Sequence, residues 1–515
     1  MDKKPDNTVF IMSLIMVLTV VATGIISPEF LLQLSKTLHK EIIRSFGWGY
    51  LTATFFFLCF SLFLAFSRFG DIKLGKDHEK PRYSYFGWFS MLFAAGMGIG
   101  LIFWGVAEPM SHFLNPPSYI ANGSGTAAEF AMTHSFFHWG IQPWAIYIVM
   151  SLSIAFFSFR RGMPPLISSC FYPLIGEKIY GLTGYIIDIL AVFATIFGIA
   201  TSLGFGALQI SSGLGMVLDF EVTNTVYLIL IAIITVLFLA SSLTGLDKGI
   251  QFLSKLNILI ATCLLLFMLA VGPTSYILDI LTSTTADYLS SFLNMSLSTN
   301  PFKGYDWTHS WTLFYWAWWI SWSPFVGLFV ASISRGRTVR EFVLGALTVP
   351  TIFTFLWFSV FGGSAFNLEF GKAPGIAETI TSNISTGLFE LYSYYPFSTA
   401  LTIITIMLLV VFFITSADSA TYVLAMMTSN GKLIPPTSRK IIWGLTESSV
   451  AAILLLSGGL DALQKMAIAA ALPFTIIMVF MCRSLYSGMK YDMAETSDKL
   501  EIEDLPQESQ VRNIT

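Results

Sequence analysis

The chain has 515 residues, of which 55% are hydrophobic and only 11% charged, with 47 phenylalanines and a formal net charge of −3. Charge that sparse cannot coat a soluble protein of this size, and repeated apolar runs of about 20 residues read as membrane spans. The lack of a basic block argues against a nucleic-acid binder, and the loops are too short for a soluble catalytic domain.

Lys3 and Lys4 precede the first apolar run and no small-x-small cleavage site follows, so an uncleaved first helix is expected in place of a signal peptide. About twelve spans are predicted, over 8–27, 47–66, 85–107, 131–157, 182–212, 224–243, 253–278, 308–331, 343–366, 397–426, 439–458 and 462–485. Every second loop is basic. Arg68, Lys73, Lys76, Lys80 and Arg82 follow span two; Arg160, Arg161 and Lys178 follow span four; Lys248 follows span six. Arg335, Arg337 and Arg340 follow span eight, and Lys432, Arg439 and Lys440 follow span ten, whereas 109–130 holds no Lys or Arg. Basic loops stay in the cytoplasm, which places both termini there. Residues 280–300 alternate polar and apolar at helical spacing, as an amphipathic helix on the outer face does. The tail from about 488, with Glu501, Glu503, Asp504 and Glu508, has the composition of a disordered segment. Cys59, Cys170, Cys263 and Cys482 lie in or beside apolar runs without CxxC or metal spacing and are expected to be unpaired.

Four segments carry chemistry. Span three contains Ala94-Ala-Gly-Met-Gly-Ile-Gly100, and glycines at i, i+2 and i+4 do not make one packing face. Each weakens a helix by about 1 kcal/mol relative to alanine, so an unwound stretch is expected, with freed backbone groups lining a cavity. In span four, His138-Trp-Gly-Ile-Gln-Pro-Trp-Ala-Ile-Tyr147, Pro143 is expected to kink the helix, with Trp144 and Tyr147 on one side and Trp139 able to join them. Span eight concentrates five tryptophans in Trp311-Thr-Leu-Phe-Tyr-Trp-Ala-Trp-Trp-Ile-Ser-Trp322. Trp311 suits an interfacial girdle, but Trp318, Trp319 and Trp322 share a helical side at mid-span, where anchoring explains them poorly. A quaternary ammonium ion donates no hydrogen bond and must be held against aromatic faces. Span ten carries Phe412-Phe-Ile-Thr-Ser-Ala-Asp-Ser419, in which Thr415 and Ser416 are hard-oxygen ligands for a small cation or bond their own helix, and Asp418 braces a helix or serves the site. His134, His138, Asp188, Glu108 and Glu447 show no metal-ligand spacing and read as satisfied structural groups.

These segments resemble the betaine/choline/carnitine transporter family from about residue 45 to 485. The likeness is carried by Gly96-Met-Gly-Ile-Gly100 with Ala107-Glu-Pro109, Phe137-His-Trp139, the tryptophan segment, Ser334-Arg-Gly-Arg-Thr338 and Thr415-Ser-Ala-Asp-Ser419. It implies an all-α polytopic membrane protein of about twelve transmembrane helices with a 5+5 inverted-repeat fold. Two extra helices and the first basic loop would occupy 1–84, the repeats 85–280 and 308–487, an amphipathic connector 281–307 and a polar tail 488–515. It also implies a homotrimer in the cytoplasmic membrane and no enzymatic activity or cofactor.

By the same resemblance, Trp139, Trp144, Tyr147, Trp318, Trp319 and Trp322 surround the substrate's trimethylammonium, and Gly96, Gly98 and Gly100 face its carboxylate. A sodium site would use carbonyls of Ala94, Met97 and Phe412 with the hydroxyls of Thr415 and Ser416. A second family site would use Thr195 near Phe325, but its partner hydroxyl is replaced by Ile199. Gly100 stands where choline-specific members carry an acid, and Asn257 where sodium-independent exchangers carry arginine. Both favour sodium-driven glycine betaine uptake over the alternatives, proton-coupled choline uptake or sodium-independent betaine/carnitine exchange.

Overall fold

The computed structural model describes residues 7–244 and 247–503, apart from the side chains of Ala94, Ala95, Met97, Thr244, 247–252, Ser254 and 496–503. It is an all-α bundle in which, among the described residues, nine helices are long and apolar enough to cross a membrane, or eleven if each of two bent pairs is one span. In chain order, α1 (Thr8–Ile26) and α2 (Pro28–Phe66) precede α3 (Tyr85–Leu114), α4 (Gly125–Trp139) and α5 (Ile141–Ala155). The single turn α6 (Tyr172–Ile175) leads to α7 (Leu182–Leu218), α8 (Asn224–Thr244), α9 (Asp247–Val271) and α10 (Thr274–Leu297). Then come α11 (Asp306–Ser310), α12 (Thr312–Ile333), α13 (Val339–Asn367), the short α14 (Ile376–Ser382) and α15 (Gly387–Tyr392), α16 (Ser398–Met427) and α17 (Thr437–Glu503).

The predicted spans fall on these helices, with local differences. Predicted spans eleven and twelve share α17 and meet at Gly458 and Gly459, both non-helical; Gly459 has φ 58, where a side chain would be strained. Span seven ends earlier than predicted, because Gly272-Pro273 turns the chain by 112° at Val271 and the amphipathic α10 starts at Thr274. The tail differs most: α17 continues to Glu503, so 488–503 is helical and not disordered, while 504–515 lies outside the described residues. Arg160 and Arg161 bind this extension through Asp492 at 2.5 and 3.2 Å, and Arg161 also reaches Glu495 at 3.0 Å. All four cysteines are free.

The bundle is buried on its inner helices and apolar on its outer ones. Predicted spans four and eight lie almost wholly inside, with 94% and 89% of their windows buried, whereas those of α1 and α8 are 28% buried. Exposed Ile, Leu, Phe and Val side chains on α1, α2 and α8 suit acyl chains as neighbours. The two central elements, α5 and α12, pack against each other and carry Trp144, Tyr147, Trp318, Trp319 and Trp322, while Trp139 ends α4.

At one end the basic loops converge. Lys73 and Thr338 form an isolated antiparallel bridge, supported by Leu74 N–H to the Arg337 carbonyl at 2.8 Å and Val339 N–H to the Ile72 carbonyl at 2.9 Å. Gly336 has φ 85, and a Cβ there would lie 2.6 Å from the Lys80 backbone, so this turn requires glycine. Arg337 is buried over Trp88 at 4.1 Å and Tyr85 at 4.6 Å, donates to the Tyr83 carbonyl, and so clamps the start of α3. Ser334 accepts the Trp88 indole proton at 2.9 Å, and Thr338 caps α13 in a box with Glu341.

Arg335 grips Glu79 with two bonds of 2.6 and 2.7 Å, and this holds the Glu79 carboxyl down at about 2, against an ordinary 4.5. A carboxyl lowered on folding stabilises above its unfolded value, and that contribution fades as pH falls through the folded one. Glu79→Ala should therefore lower the thermal midpoint at pH 7. The gap from wild type should narrow as pH falls from 4.5 toward about 2. A pH-independent gap in detergent melts would show that the charge of Glu79 is not responsible.

Candidate functional site

The span-three glycines are explained by what lies against them. A Cβ on Gly96 would sit 2.5 Å from Cη2 of Trp144, and one on Gly100 2.5 Å from Trp318 and 3.0 Å from Trp139. Gly98 instead faces Phe412 at 3.5 Å and the Ser416 hydroxyl at 3.8 Å. Thus Gly96 and Gly100, one turn apart, do share a face and admit indole rings. The middle glycine breaks the helix: Gly98 has φ −12 and ψ −123, and Tyr85–Phe93 and Gly98–Leu114 are bent by 65°. The expected break is present as a sharp kink within one helix.

Six aromatic residues form one cluster, of which Trp139, Trp144 and Trp318 meet these glycines. Trp318 and Trp319 stack at 4.5 Å, Trp139 stands edge-on to Trp319 at 4.9 Å and to Trp318 at 6.1 Å, and Trp322 lies 6.4 Å from Trp318. Tyr147 joins Trp144 at 5.7 Å, Trp319 at 6.2 Å and Trp322 at 6.4 Å. None of the six is more than 4% exposed. The cluster faces inward, away from lipid. Four of its polar atoms, Trp144 Nε1, Tyr147 Oη, Trp318 Nε1 and Trp322 Nε1, are buried without a hydrogen-bond partner. Each unmade bond costs about 1–3 kcal/mol, so four side by side mark a binding region more than a packing core.

Span four breaks at Gly140, three residues before the expected Pro143. Pro143 lacks the N–H that would reach the Trp139 carbonyl, and its ring crowds that carbonyl. Thr354 supplies the missing donor to Trp139 O at 3.0 Å, while the Trp319 indole donates to His138 O at 3.1 Å. The break turns Trp139 onto the span-eight rings. Trp311 is half-buried, edge-on to Trp104 and His112.

On α16, Thr415 donates to Val411 O at 2.9 Å and Phe412 O at 3.2 Å, so its hydroxyl and the Phe412 carbonyl bond each other here. Ser416 adjoins the Gly98 kink. Ala94 and Met97, expected to contribute backbone carbonyls, lie in the helical run that ends at the Gly98 kink. Thr195 donates to Ala191 O at 2.7 Å, Ile199 is buried and Phe325 packs on Trp322 at 5.7 Å, which brings no second oxygen to that position. Asp418 accepts from Ser241 at 2.7 Å and Asp188 from Ser168 N and Oγ at 2.9 and 2.7 Å. His134 bonds the Phe130 carbonyl. Glu447 accepts from Thr421, with its other oxygen buried and unpartnered, so it is only half satisfied. Asn257 is buried with neither amide atom hydrogen-bonded.

Glu108 holds a wider role than its sequence suggested. Its Oε2 accepts from Trp139 Nε1 at 2.7 Å and Tyr315 Oη at 2.5 Å, and its Oε1 meets His138 Nδ1 at 2.7 Å and His112 Nε2 at 3.2 Å. Glu108, His112 and His138 bring ligand atoms within 4.8 Å of one another; Glu108 and His112 are four apart on one helix, but the approach of His138 comes from the tertiary fold. Four hydrogen bonds already fill the carboxylate, which accounts for the cluster without a metal. Tyr315 was also missed, although it precedes Trp318 and Trp319 by three and four residues and so shares their helical side.

The family model for BCCT, the betaine/carnitine/choline family transporters, matches residues 8–494. The chain is 47% identical over 511 residues to the glycine betaine transporter OpuD of Bacillus subtilis (strain 168), covering 99% of each chain. It is 43% identical over 461 residues to glycine betaine transporter 1 of Vibrio parahaemolyticus serotype O3:K6 (strain RIMD 2210633), covering 88% of this chain and 87% of that one. It is 42% identical over 480 residues to the ectoine/hydroxyectoine transporter of Virgibacillus pantothenticus, covering 93% and 95%.

Gly100→Ala should overpack the cluster and destabilise the protein by about 1–3 kcal/mol, with a shifted tryptophan emission. Gly49→Ala, on α2 with nothing within 4 Å of the added Cβ, should do neither. Equal melting and emission for the two variants would remove the proposed contact between Gly100 and the indoles.

Proposed function

This chain belongs to the betaine/carnitine/choline transporter family, multi-pass membrane transporters and not enzymes, and we propose that it takes up glycine betaine or a related quaternary-ammonium osmolyte by sodium symport. The observation that carries this reading is the inward-facing cluster of Trp139, Trp144, Tyr147, Trp318, Trp319 and Trp322, seated through Trp144, Trp139 and Trp318 on Gly96 and Gly100. Desolvated aromatic faces attract a trimethylammonium group with about 0.5–2 kcal/mol each. The partnerless Trp and Tyr donors, and backbone N–H groups at the Gly98 kink, suit a carboxylate. A zwitterion meets both demands at once. Relatives named for glycine betaine and for ectoine both match this chain over more than nine-tenths of its length, so uptake competition is needed to rank the two solutes.

For sodium the supporting contact is Gly98 against Ser416, which brings the kink of α3 to the hydroxyls of α16. Entry of sodium would require Thr415 to exchange its bonds to Val411 O and Phe412 O for the ion, a small rotation about one side-chain torsion. Uncharged Asn257 provides no fixed cation in its place. With Ile199 in place of a hydroxyl, the Thr195–Phe325 position gives weaker support for a second ion. The remaining expectations, a homotrimer with both termini in the cytoplasm and alternating access by rocking of the repeats, extend the same proposal.

Trp322→Leu should raise the apparent KM for betaine about tenfold, the loss of one cation–aromatic contact. Wild-type KM in that variant would take Trp322 out of the site. Replacing external sodium with potassium should abolish accumulation, and Thr415→Ala with Ser416→Ala should flatten the dependence of uptake on sodium. Undiminished betaine uptake in potassium would instead favour proton coupling or exchange.

A further inference from the structure

The aromatic cluster has a charge behind it. Trp139 and Tyr315 both donate to Glu108 Oε2, and both rings touch Trp318 and Trp319. An indole nitrogen can only donate. His138 lies 3.0 Å from the Thr312 hydroxyl through Nε2, so a neutral His138 gives its Nδ1 proton to Glu108 and accepts from Thr312. His112 Nδ1 is buried without a partner, and a second proton there would be an orphaned donor; His112 is therefore neutral with its Nε2 proton directed to Glu108. An ionised Glu108 accepts from all four groups, of which Trp139 and Tyr315 are uncharged donors, and with both imidazoles neutral no cation stands beside it. In that state the charge is solvated by hydrogen bonds and left uncancelled.

We infer that Glu108 is a positioning and specificity-determining residue for the transported cation: a fixed counter-charge that acts through the Trp139 and Tyr315 rings without touching the substrate. This rests on the reading of the aromatic cluster as the cation site. Negative charge at the N–H edge of an indole pushes electron density onto its face, which deepens the attraction for an ammonium group. Inside a low-dielectric bundle the charge is also felt across the width of a ring. A carboxylate in direct contact would favour cations that lack an acid group of their own. One ring away, it attracts the trimethylammonium end while leaving room for the substrate's carboxylate at the kink. The site thus combines aromatic contacts with a buried carboxylate, where the sequence pointed to rings alone.

The test compares glycine betaine with 3,3-dimethylbutanoate, which has the same shape with carbon in place of the cationic nitrogen. Binding of both is read by quenching of tryptophan fluorescence in the purified full-length protein. Glu108→Gln should raise the Kd for glycine betaine on the order of tenfold and leave that for 3,3-dimethylbutanoate unchanged or lower. Glu108→Asp, which keeps the charge, should preserve most of the preference. An unchanged ratio of the two Kd values in Glu108→Gln overturns the counter-charge role. Should Glu108→Gln bind neither ligand, Glu108→Asp decides: a kept preference supports the role, and an equal loss of both ligands assigns Glu108 to structure alone. Trp318→Leu keeps the two ideas apart, because a wild-type ratio in that variant rejects the aromatic site itself, whatever Glu108 does.

Discussion

The contact on which the site depends is that between bare helix backbone and indole rings. Trp144 and Trp318 lie where any side chain on Gly96 or Gly100 would have to be. Inside a membrane there is little hydrophobic gain from burying apolar surface, so helices associate through close packing and hydrogen bonds. Large flat rings against a helix without side chains give that packing the greatest contact area. The same glycines make α3 easy to bend, and Gly98 uses that freedom. The packing and the kink come from one short sequence, which is why neither can be altered without moving the other.

A kinked helix in lipid must still satisfy its backbone. The break at Gly140 shows how this is done. Thr354 bonds the Trp139 carbonyl and Trp319 the His138 carbonyl, so residues of α13 and α12 complete the hydrogen bonding of α4. These bonds also fix the direction in which Trp139 and Trp319 point. The irregular backbone is thereby tied to the aromatic cluster, and Pro143 acts less as the bend itself than as the reason the Trp139 carbonyl seeks a new donor.

Much of this was legible in the sequence, for specific reasons. Apolar runs and basic loops located the spans, and the spacing of Trp318, Trp319 and Trp322 gave one wall of the cluster, because helical periodicity reports which residues share a side. Tyr315 was available from the same spacing. Glu108 was legible only in part: His112, four residues on, shares its helical side, but His138, Trp139 and Tyr315 come from α4 and α12 and only the tertiary fold brings them to it. The order of 488–503 was hidden for a related reason. Its composition suggests disorder until Arg160 and Arg161 are seen to hold Asp492. The glycine pattern was misjudged in geometry, since Gly96 and Gly100 are one turn apart and do share a face.

The two halves of α3 answer to different parts of the molecule. Its first turns are clamped at the basic-loop end, where Trp88 bonds Ser334 and lies under Arg337. Its other half is held by Glu108, bonded to α4 and α12 through His138, Trp139 and Tyr315. Gly98 stands between the two clamps, opposite Ser416. The kink falls at the glycine between them, where the backbone has no side chain to resist bending. A cation held by Ser416 and the backbone at the kink would set the angle between the halves, and with it the spacing of Gly96 and Gly100 against Trp144 and Trp318. Ion binding and solute binding would then be coupled through one bend, with no need for a longer path between them.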